Sequence, residues 1–458
     1  MKKIVFAILL LLSSFANCTG KASVQTEEKP RIIVTCDPEL DDLNSLIRFL
    51  LHSTDFRIEG LIYASSQFHW KGDGQGTTWF VPGREYTRNG LDLGPITSWR
   101  WAKDERFIHD AVEAYGEVYP NLKVHHPGYS EPEYLESKIR YGNIEFDGDI
   151  SKVSPGSELI KSVIMDDIPG PLFITAWGGA STIARALKSI EEEYSSTPEW
   201  EGIKEKVSDK VILCLSGDQD NTYANYIKPN WPGIGQLQGS SAGVGLAYNA
   251  QASVKPEYAF YYEPEWVSEN ILQQGPLGAM FRVWGDGKQM VEGDIFDYFH
   301  LSGYTADELR EMGYVVWTPP QKKGSWLAEG DTHTFLNLLD NGLRAHEDQS
   351  YGGWSGRKRD AAAPTGFMGF GRVDEAMPGN FLPAAQNELA ARFKWSVTPN
   401  YEGANHHPQI NAPLSLTATP GERLKIKATV TDPDKDSLLI RWWQFKVGSY
   451  DGNVSIDN

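Results

Sequence analysis

The sequence predicts an α/β domain with a mostly parallel sheet flanked by helices, followed by an incomplete C-terminal β-sandwich module. Short apolar runs, typical of strands buried on both faces, alternate with amphipathic helical segments through the first half of the chain. The pattern changes to period two near the C-terminus. The length of 458 residues also favours more than one folded unit.

The elements of the α/β domain begin with the continuous apolar run Ile32-Ile33-Val34, which predicts a buried strand. Residues 41–53 then place leucines at helical spacing. The further predicted elements are strands at 58–64, 172–175 and 211–215 and helices at 104–119 and 180–190. Because ligands bind at the carboxyl ends of the strands in such sheets, we expect a site at that edge.

An irregular segment at 67–129, rich in Trp, Gly and Pro, predicts loops that shape a cleft. Its tryptophans are Trp70, Trp79, Trp99 and Trp101. Aromatic faces pack against the apolar faces of sugar rings, and they also fill large cores. Both interpretations of these tryptophans stay open.

The C-terminal part contains a predicted helix at 382–393 and a linker at 406–408. Alternating apolar residues at 424–430, a turn at 432–434 and an apolar run at 438–445 then predict a β-hairpin-rich module of immunoglobulin-like type. Such a sandwich needs about 100 residues, so this module is expected to be incomplete at Asn458.

The N-terminus predicts export. Lys2 and Lys3 precede an apolar run that is too short to span a bilayer, and residues 15–18 resemble a bacterial lipobox in which Cys18 is lipidated. Lipoprotein and plain secretion both remain open, with the periplasm, outer membrane or cell surface as the destination and a lipid anchor as the only expected membrane link. The predicted division is a signal peptide at 1–18, a tether at 19–29, the α/β domain at 30–360, a connecting segment at 361–407 and the β module at 408–458.

The formal net charge of −18 argues against a nucleic-acid partner, because nucleic-acid binding relies on Lys and Arg to neutralise phosphates. A neutral partner such as a sugar, or a cation, fits this charge better. Cys36 and Cys214 cannot form a disulfide scaffold and are expected to be buried free thiols.

Four carboxylates crowd the junction between the first strand and the first helix: Asp37, Glu39, Asp41 and Asp42. Acidic residues at a helix N-terminus often cap the helix and complement its dipole. Capping explains one or two of them, whereas a hard cation with oxygen ligands would relieve the repulsion of the whole set. The pattern therefore favours a divalent metal site.

The segment Asp37-Pro38-Glu39-Leu40-Asp41-Asp42 resembles the Asp-x-Asp-Pro-Gly-x-Asp-Asp motif of the nucleoside hydrolases. More closely, residues 30–359 resemble the nucleoside-hydrolase-like domain of bacterial proteins described as cellulose-binding. The resemblance implies a nucleoside-hydrolase-like sheet and a Ca²⁺ ion held by Asp37, Asp42, Asp331 and the backbone carbonyl of Trp177. It also implies that Asp37 positions or deprotonates the attacking water.

The resemblance further implies that Asp41, Gln67 and Asn225 contact the sugar. Several positions differ from the family pattern, however. Thr35 replaces the first Asp of the motif, and Glu39 replaces its Gly. Tyr223 stands where the family has a sugar-binding Glu, and Gly330 stands where some nucleoside hydrolases carry a His. We therefore expect a metal-dependent glycosyl hydrolase-like protein acting on a carbohydrate or an N- or O-glycoside. The alternative is a non-catalytic protein that binds a cellulose-like glycan and retains a structural calcium site. Glu329 and His333 are the candidate leaving-group acids nearest in sequence.

Overall fold

The computed structural model describes residues 3–9, 29–88, 90–339, 341–356, 381–444 and 452–457. Cys18, the predicted tether up to residue 28 and residues 361–380 of the predicted connecting segment lie outside the described residues. The strands are β1 (Lys3–Leu9), β2 (Arg31–Cys36), β3 (Arg57–Tyr63), β4 (Ile139–Tyr141), β5 (Leu172–Ala176), β6 (Val211–Leu215), β7 (Gly235–Gln236), β8 (Gln409–Asn411), β9 (Thr429–Thr431) and β10 (Leu438–Gln444).

Helices and short helical turns connect these strands. The helices are α1 (Leu40–Leu51), α2 (Phe107–His125), α3 (Pro132–Ser137), α4 (Pro155–Met165), α5 (Ser181–Tyr194), α6 (Trp200–Lys210), α7 (Lys228–Asn230), α8 (Ser241–Val244), α9 (Pro264–Val267), α10 (Gly275–Met280), α11 (Ala306–Glu311), α12 (His333–Leu336) and α13 (Leu382–Ser396).

The central sheet has six parallel strands in the order β4-β3-β2-β5-β6-β7. In the middle strand, β2, every residue is buried, and Val34 pairs with Leu61 on one side and Thr175 on the other. The predicted α/β class with a mostly parallel sheet is confirmed. The short edge strands β4 and β7 carry too few apolar residues to be detected from periodicity.

Helices cover both faces of this sheet. Neighbouring side chains of a strand point to opposite faces, so Ile32 packs in one hydrophobic core and Ile33 in the other. The first core includes residues of α1, α2 and α13, and the second includes residues of α4, α5 and α6. The central strand β2 thus lies in a sheet that is covered by helices on both faces.

A buried ion pair joins α1 to the segment before α12. The Arg48 guanidinium contacts both carboxylate oxygens of Glu329, and both side chains are fully buried. Arg48 also donates to the Ala385 carbonyl oxygen at 2.8 Å and to Gln386 Oε1 at 2.7 Å, which ties α13 to the same point. Glu329 therefore has a structural partner.

The C-terminal residues form two small sheets. β8 pairs with β9 in antiparallel orientation, and β10 pairs in parallel with β1, with Lys3 opposite Leu438. β9 and β10, on either side of the predicted turn at 432–434, pair with other strands among the described residues, and the small antiparallel sheet is consistent with an incomplete extra module. That the module is immunoglobulin-like stays a prediction. The described part of the chain contains no helix with the length and apolar character needed to cross a membrane.

Candidate functional site

The turn between β2 and α1 brings the first carboxylates of the site together. Asp37 directly follows β2, and its backbone N–H donates to Asp42 Oδ1 at 3.0 Å. The Glu39 N–H donates to the Asp37 carbonyl oxygen at 2.8 Å, which closes the turn immediately before α1 begins. Asp37, Asp41 and Asp42 are all buried. The chain thus places three carboxylates inside the protein at the carboxyl end of the central strand.

Two segments that are distant in sequence complete this site. The Trp177 N–H donates to the Thr35 carbonyl oxygen at 2.9 Å, so the end of β5 lies beside the end of β2. At Gly178 an added Cβ would lie 2.9 Å from Asp37 Cγ, and at Gly330 it would lie 2.2 Å from Asp41 Oδ2. Glycine at both positions lets the backbone approach the carboxylates closely. A histidine at position 330 would displace Asp41.

The carboxylates of the site repel one another in a buried environment. Burial, followed by the charges of Asp331 and Asp37, raises the pKa of Asp42 well above its usual range. Burial, followed by the charge of Asp41, raises the pKa of Asp331 in the same way. Among the described residues, no Lys or Arg forms an ion pair with Asp41, Asp42 or Asp331. The set therefore requires protons or a bound cation.

The donor set fits a hard divalent cation. Asp37 Oδ1 is buried and has no hydrogen-bond partner among the described residues. The Trp177 carbonyl oxygen accepts from Gln219 Nε2 at 2.6 Å, and a carbonyl oxygen has a second lone pair. Together with the carboxylates of Asp42 and Asp331, these atoms supply the all-oxygen environment that Ca²⁺ prefers.

Calcium affinity is expected to fall as the pH is lowered through about 6. Burial raises the pKa values of the proposed ligands Asp42 and Asp331 well above their usual range and that of the adjacent Asp41 to about 6, and protons compete with a cation for carboxylate oxygens. We expect at least about tenfold weaker Ca²⁺ binding at about pH 5 than at about pH 7, measured by isothermal titration calorimetry. A calcium affinity that does not change with pH would contradict this competition between protons and calcium for the carboxylates.

The stability of the calcium-free protein is expected to show the opposite trend. Since the Asp41 pKa is higher in the folded than in the unfolded chain, the folded state binds more protons between the usual aspartate pKa and about 6. Its free energy of unfolding therefore decreases as the pH rises through this window. Urea denaturation over the same pH range, with a chelator present, measures this trend.

The structure places the two remaining predicted sugar contacts differently. Gln67 is buried and donates to the Gln219 carbonyl oxygen at 2.9 Å. The side chain of Gln219 in turn donates to the Trp177 carbonyl oxygen, so Gln219 links Gln67 to the site. Gln67 Oε1 accepts from Arg88. Asn225 lies exposed on a π-helical turn after β6, and no hydrogen bond described joins its side chain to the carboxylates. Gln67 is therefore next to the site, whereas Asn225 is not brought into it.

Neither candidate leaving-group acid is suited to that role. The Glu329 carboxylate is occupied by Arg48, and it also accepts from Thr332 Oγ1 at 3.0 Å. Burial lowers the pKa of His333 to about 4, so its ring is neutral near neutral pH. His333 Nδ1 lies 2.6 Å from the Gly330 carbonyl oxygen. Both side chains support the loop that carries Asp331.

Several tryptophans of the irregular segment form its interior. Trp70 is fully buried against Tyr86, and Trp79 stacks on Phe146 with ring centres 5.0 Å apart. Trp101 is also buried. The core interpretation is therefore confirmed for Trp70 and Trp101, and these rings do not form an open sugar platform.

Three further residues at the site could not be found from the sequence pattern. His69 Nδ1 lies 3.3 Å from Asp37 Oδ2, and the Tyr248 hydroxyl donates to Asp41 Oδ1 at 3.2 Å. Trp317 packs edge-on against Tyr248 with ring centres 4.9 Å apart, and 49% of its surface is exposed. All three come from loops whose sequences carry no motif, so only folding brings them to the carboxylates.

Comparison with known proteins supports this fold. Residues 31–357 match the family model described as "Cellulose-binding Sde182, nucleoside hydrolase-like domain". A similar solved structure is a nucleoside hydrolase-related hypothetical protein from Saccharophagus degradans that is associated with carbohydrate metabolism. It is 22% identical, with a TM-score of 0.61 over 90% of this chain and 84% of that chain. At this identity the likeness concerns the fold.

Two other solved structures are much less similar. The effector protein XOO4466 and the type III effector protein XopQ complexed with adenosine diphosphate ribose have TM-scores of 0.37 and 0.36. Each is 10% identical and covers 81% of this chain and 95% of its own. No curated protein sequence matches the chain. The match over residues 31–357 shows that the chain belongs to the cellulose-binding Sde182, nucleoside hydrolase-like domain family.

Proposed function

We propose that this protein is an exported, calcium-dependent glycosyl hydrolase-like enzyme that acts on a carbohydrate or glycoside. The observation that carries the proposal is the buried carboxylate set, which has no Lys or Arg ion pair among the described residues and in which Asp37 Oδ1 has no described hydrogen bond. Calcium would be held by Asp37, Asp42, Asp331 and the Trp177 carbonyl oxygen. Export rests on the N-terminal segment that ends at Cys18.

In the proposed reaction, Asp37 accepts a proton from water as the water oxygen bonds to the anomeric carbon, and the leaving group departs with the electron pair of the broken bond and is protonated by solvent water. Calcium, when bound, would orient the water and the sugar hydroxyls and lower the pKa of the water. The contact with His69 and the close approach of Gly178 hold the Asp37 carboxylate in place. Each Asp41 oxygen accepts one described hydrogen bond, from the Tyr248 hydroxyl or the Gly330 N–H, and keeps a lone pair to which a sugar hydroxyl could donate.

A carbohydrate substrate is supported by the aromatic surface beside Asp41. Trp317 is half exposed and packs edge-on against Tyr248, whose hydroxyl donates a hydrogen bond to Asp41. An exposed indole at the edge of a polar site is typical of sugar recognition, because its face covers the apolar face of the ring. The membership of a cellulose-binding family agrees with a glycan of this kind.

Replacing Trp317 with alanine is expected to weaken glycan binding by about 1 to 2 kcal/mol, which is the order of an aromatic contact together with its buried area. Binding to soluble cello-oligosaccharides and other glycans, measured by calorimetry, tests this. Phe260→Ala is a matched control, since Phe260 is also 49% exposed but has no described contact with the site. Equal effects of the two substitutions would contradict a role for Trp317.

The second candidate function is glycan binding without turnover. It is favoured by Asn225, which stays exposed outside the site, and by Gln67, whose amide is already engaged by Arg88 and Gln219. Incubating the protein with soluble and insoluble glycans and measuring both retention and released reducing sugar separates the two functions. Calcium-dependent release supports the enzyme, whereas retention without release across the glycans tested supports the binding protein.

A further inference from the structure

We propose that Asp37, Glu39 and His69 form a second cation position beside the proposed calcium position, and that it takes a borderline first-row divalent metal such as Zn²⁺, Mn²⁺ or Co²⁺. The ligand atoms of these three residues all lie within 4.8 Å of one another. The second position goes beyond the proposed function and does not depend on turnover. It uses two side chains, Glu39 and His69, that are not among the proposed calcium ligands.

The His69 side chain lies beside the Asp37 carboxylate. Its ring is fully buried, and Nδ1 lies 3.3 Å from Asp37 Oδ2. That separation is long for a charge-assisted hydrogen bond, for which about 2.7–2.9 Å is usual. It matches two ligand atoms that share one ion, since atoms about 2.1 Å from a metal are about 3.0–3.4 Å apart. The imidazole is thus placed as a ligand would be.

Asp37 supports the same conclusion. Its Oδ1 is buried and has no hydrogen-bond partner among the described residues. A buried polar atom is normally hydrogen-bonded, so a carboxylate oxygen retained only for structure would be expected to have a donor. The carboxylate that His69 Nδ1 faces thus has an unused ligand atom.

Glu39 supplies the third possible ligand of this group. It precedes α1 at the capping position, but its side chain makes no capping hydrogen bond. Its carboxylate belongs to two close groups, one with Asp37 and His69 and the other with Asp41 and Asp42. Glu39 thus lies between the carboxylates and the imidazole.

The charge around Glu39 is only partly balanced. The carboxylates of Asp37, Asp41 and Asp42 lie close to Glu39, and the positive charge that acts on it comes from Arg100. Arg100 itself is held by Glu85 at 3.0 Å and Asp294 at 2.8 Å. The positive charge of Arg100 is therefore shared among the carboxylates of Glu39, Glu85 and Asp294. A cation beside Glu39 would supply the rest of the positive charge needed to balance them.

The ligand chemistry distinguishes the two positions. Three carboxylates and a carbonyl oxygen suit Ca²⁺, which takes oxygen ligands almost exclusively. An imidazole with two carboxylates suits borderline metals and leaves coordination positions for water or substrate. We therefore expect the two positions to be filled by different ions.

The test uses the metal-free full chain titrated with Co²⁺, followed by its visible absorption, in the presence of saturating Ca²⁺. One Co²⁺ per chain is expected. His69→Ala and the isosteric Glu39→Gln are each expected to weaken Co²⁺ binding at least about tenfold while Ca²⁺ affinity changes less than about threefold. Asp331→Asn should have the reverse effect. His109→Ala is the control, because His109 contacts Tyr63 outside the set.

Two results would overturn the second position. In the first, Ca²⁺ displaces all bound Co²⁺, which would show a single shared position. In the second, Glu39→Gln binds Co²⁺ like the unmodified chain. Because Glu39→Gln keeps the side-chain volume at a half-buried position, it decides the question even if His69→Ala does not fold. Neither result depends on glycoside turnover, so the proposed enzyme activity is judged separately.

Discussion

Replacing Asp37 with alanine is expected to lower kcat for a glycoside substrate by about 10²- to 10⁴-fold, the usual contribution of a general base. The residue is buried at the end of the central strand, and the proposed reaction makes its carboxylate the acceptor of the proton from water. The substitution also removes a proposed calcium ligand. Initial rates at saturating calcium, measured on aryl glycosides and on any glycan that the protein cleaves, test the expectation.

Asp37→Asn separates the two roles of this residue. It keeps a neutral oxygen ligand but cannot accept the proton, so turnover should be lost while part of the calcium affinity remains. Asp110→Ala is a control, because Asp110 lies exposed on α2 and pairs with Arg106. Unchanged turnover in Asp37→Ala would remove Asp37 from the chemistry.

Replacing Arg48 with methionine is expected to lower the free energy of unfolding by about 3–5 kcal/mol, because it leaves the charge of Glu329 buried without a partner. Arg48 and Glu329 are both fully buried, and Arg48 also holds Gln386 and the Ala385 carbonyl oxygen of α13. The substitution should therefore loosen α1, α13 and the loop that carries Asp331. Chemical denaturation measures the change.

The matched control for this prediction is Arg106→Met. Arg106 pairs with Asp110 and Glu113, but its side chain is 48% exposed. Solvent screens exposed ion pairs and they contribute little to stability, so the control should be nearly neutral. If both variants unfold at the same denaturant concentration, the Arg48 ion pair is not a structural support of the site.

The sequence predicted the interior of the sheet better than its edges. β2, β5 and β6 contain short apolar runs and β3 is apolar at most positions, because a parallel strand with helices on both faces buries nearly every residue. The edge strands β4 and β7 are short and partly exposed, so they lack that signal. At the C-terminus, period-two alternation showed that strands were present but could not show their partners. β10 pairs with β1 at the other end of the chain.

The site could be predicted where its residues are close in sequence. Asp37, Asp41 and Asp42 share one turn, and the resemblance supplied Trp177 and Asp331, which the structure brings to the same place. His69, Tyr248 and Trp317 come from separate loops, so no spacing in the sequence connects them. Gly330 is explained only by the fold, since a side chain there would collide with Asp41.

The most direct test of the central claim is a crystal structure of the full chain grown with CaCl₂. The buried carboxylates predict an ion bound between Asp37, Asp42 and Asp331, with the Trp177 carbonyl oxygen and water completing about six to eight oxygen ligands. Calcium in that position, with an ordered water beside Asp37, would support metal-assisted hydrolysis. A site without an ion at saturating calcium, or one filled by a Lys or Arg side chain, would contradict it and leave glycan binding as the function.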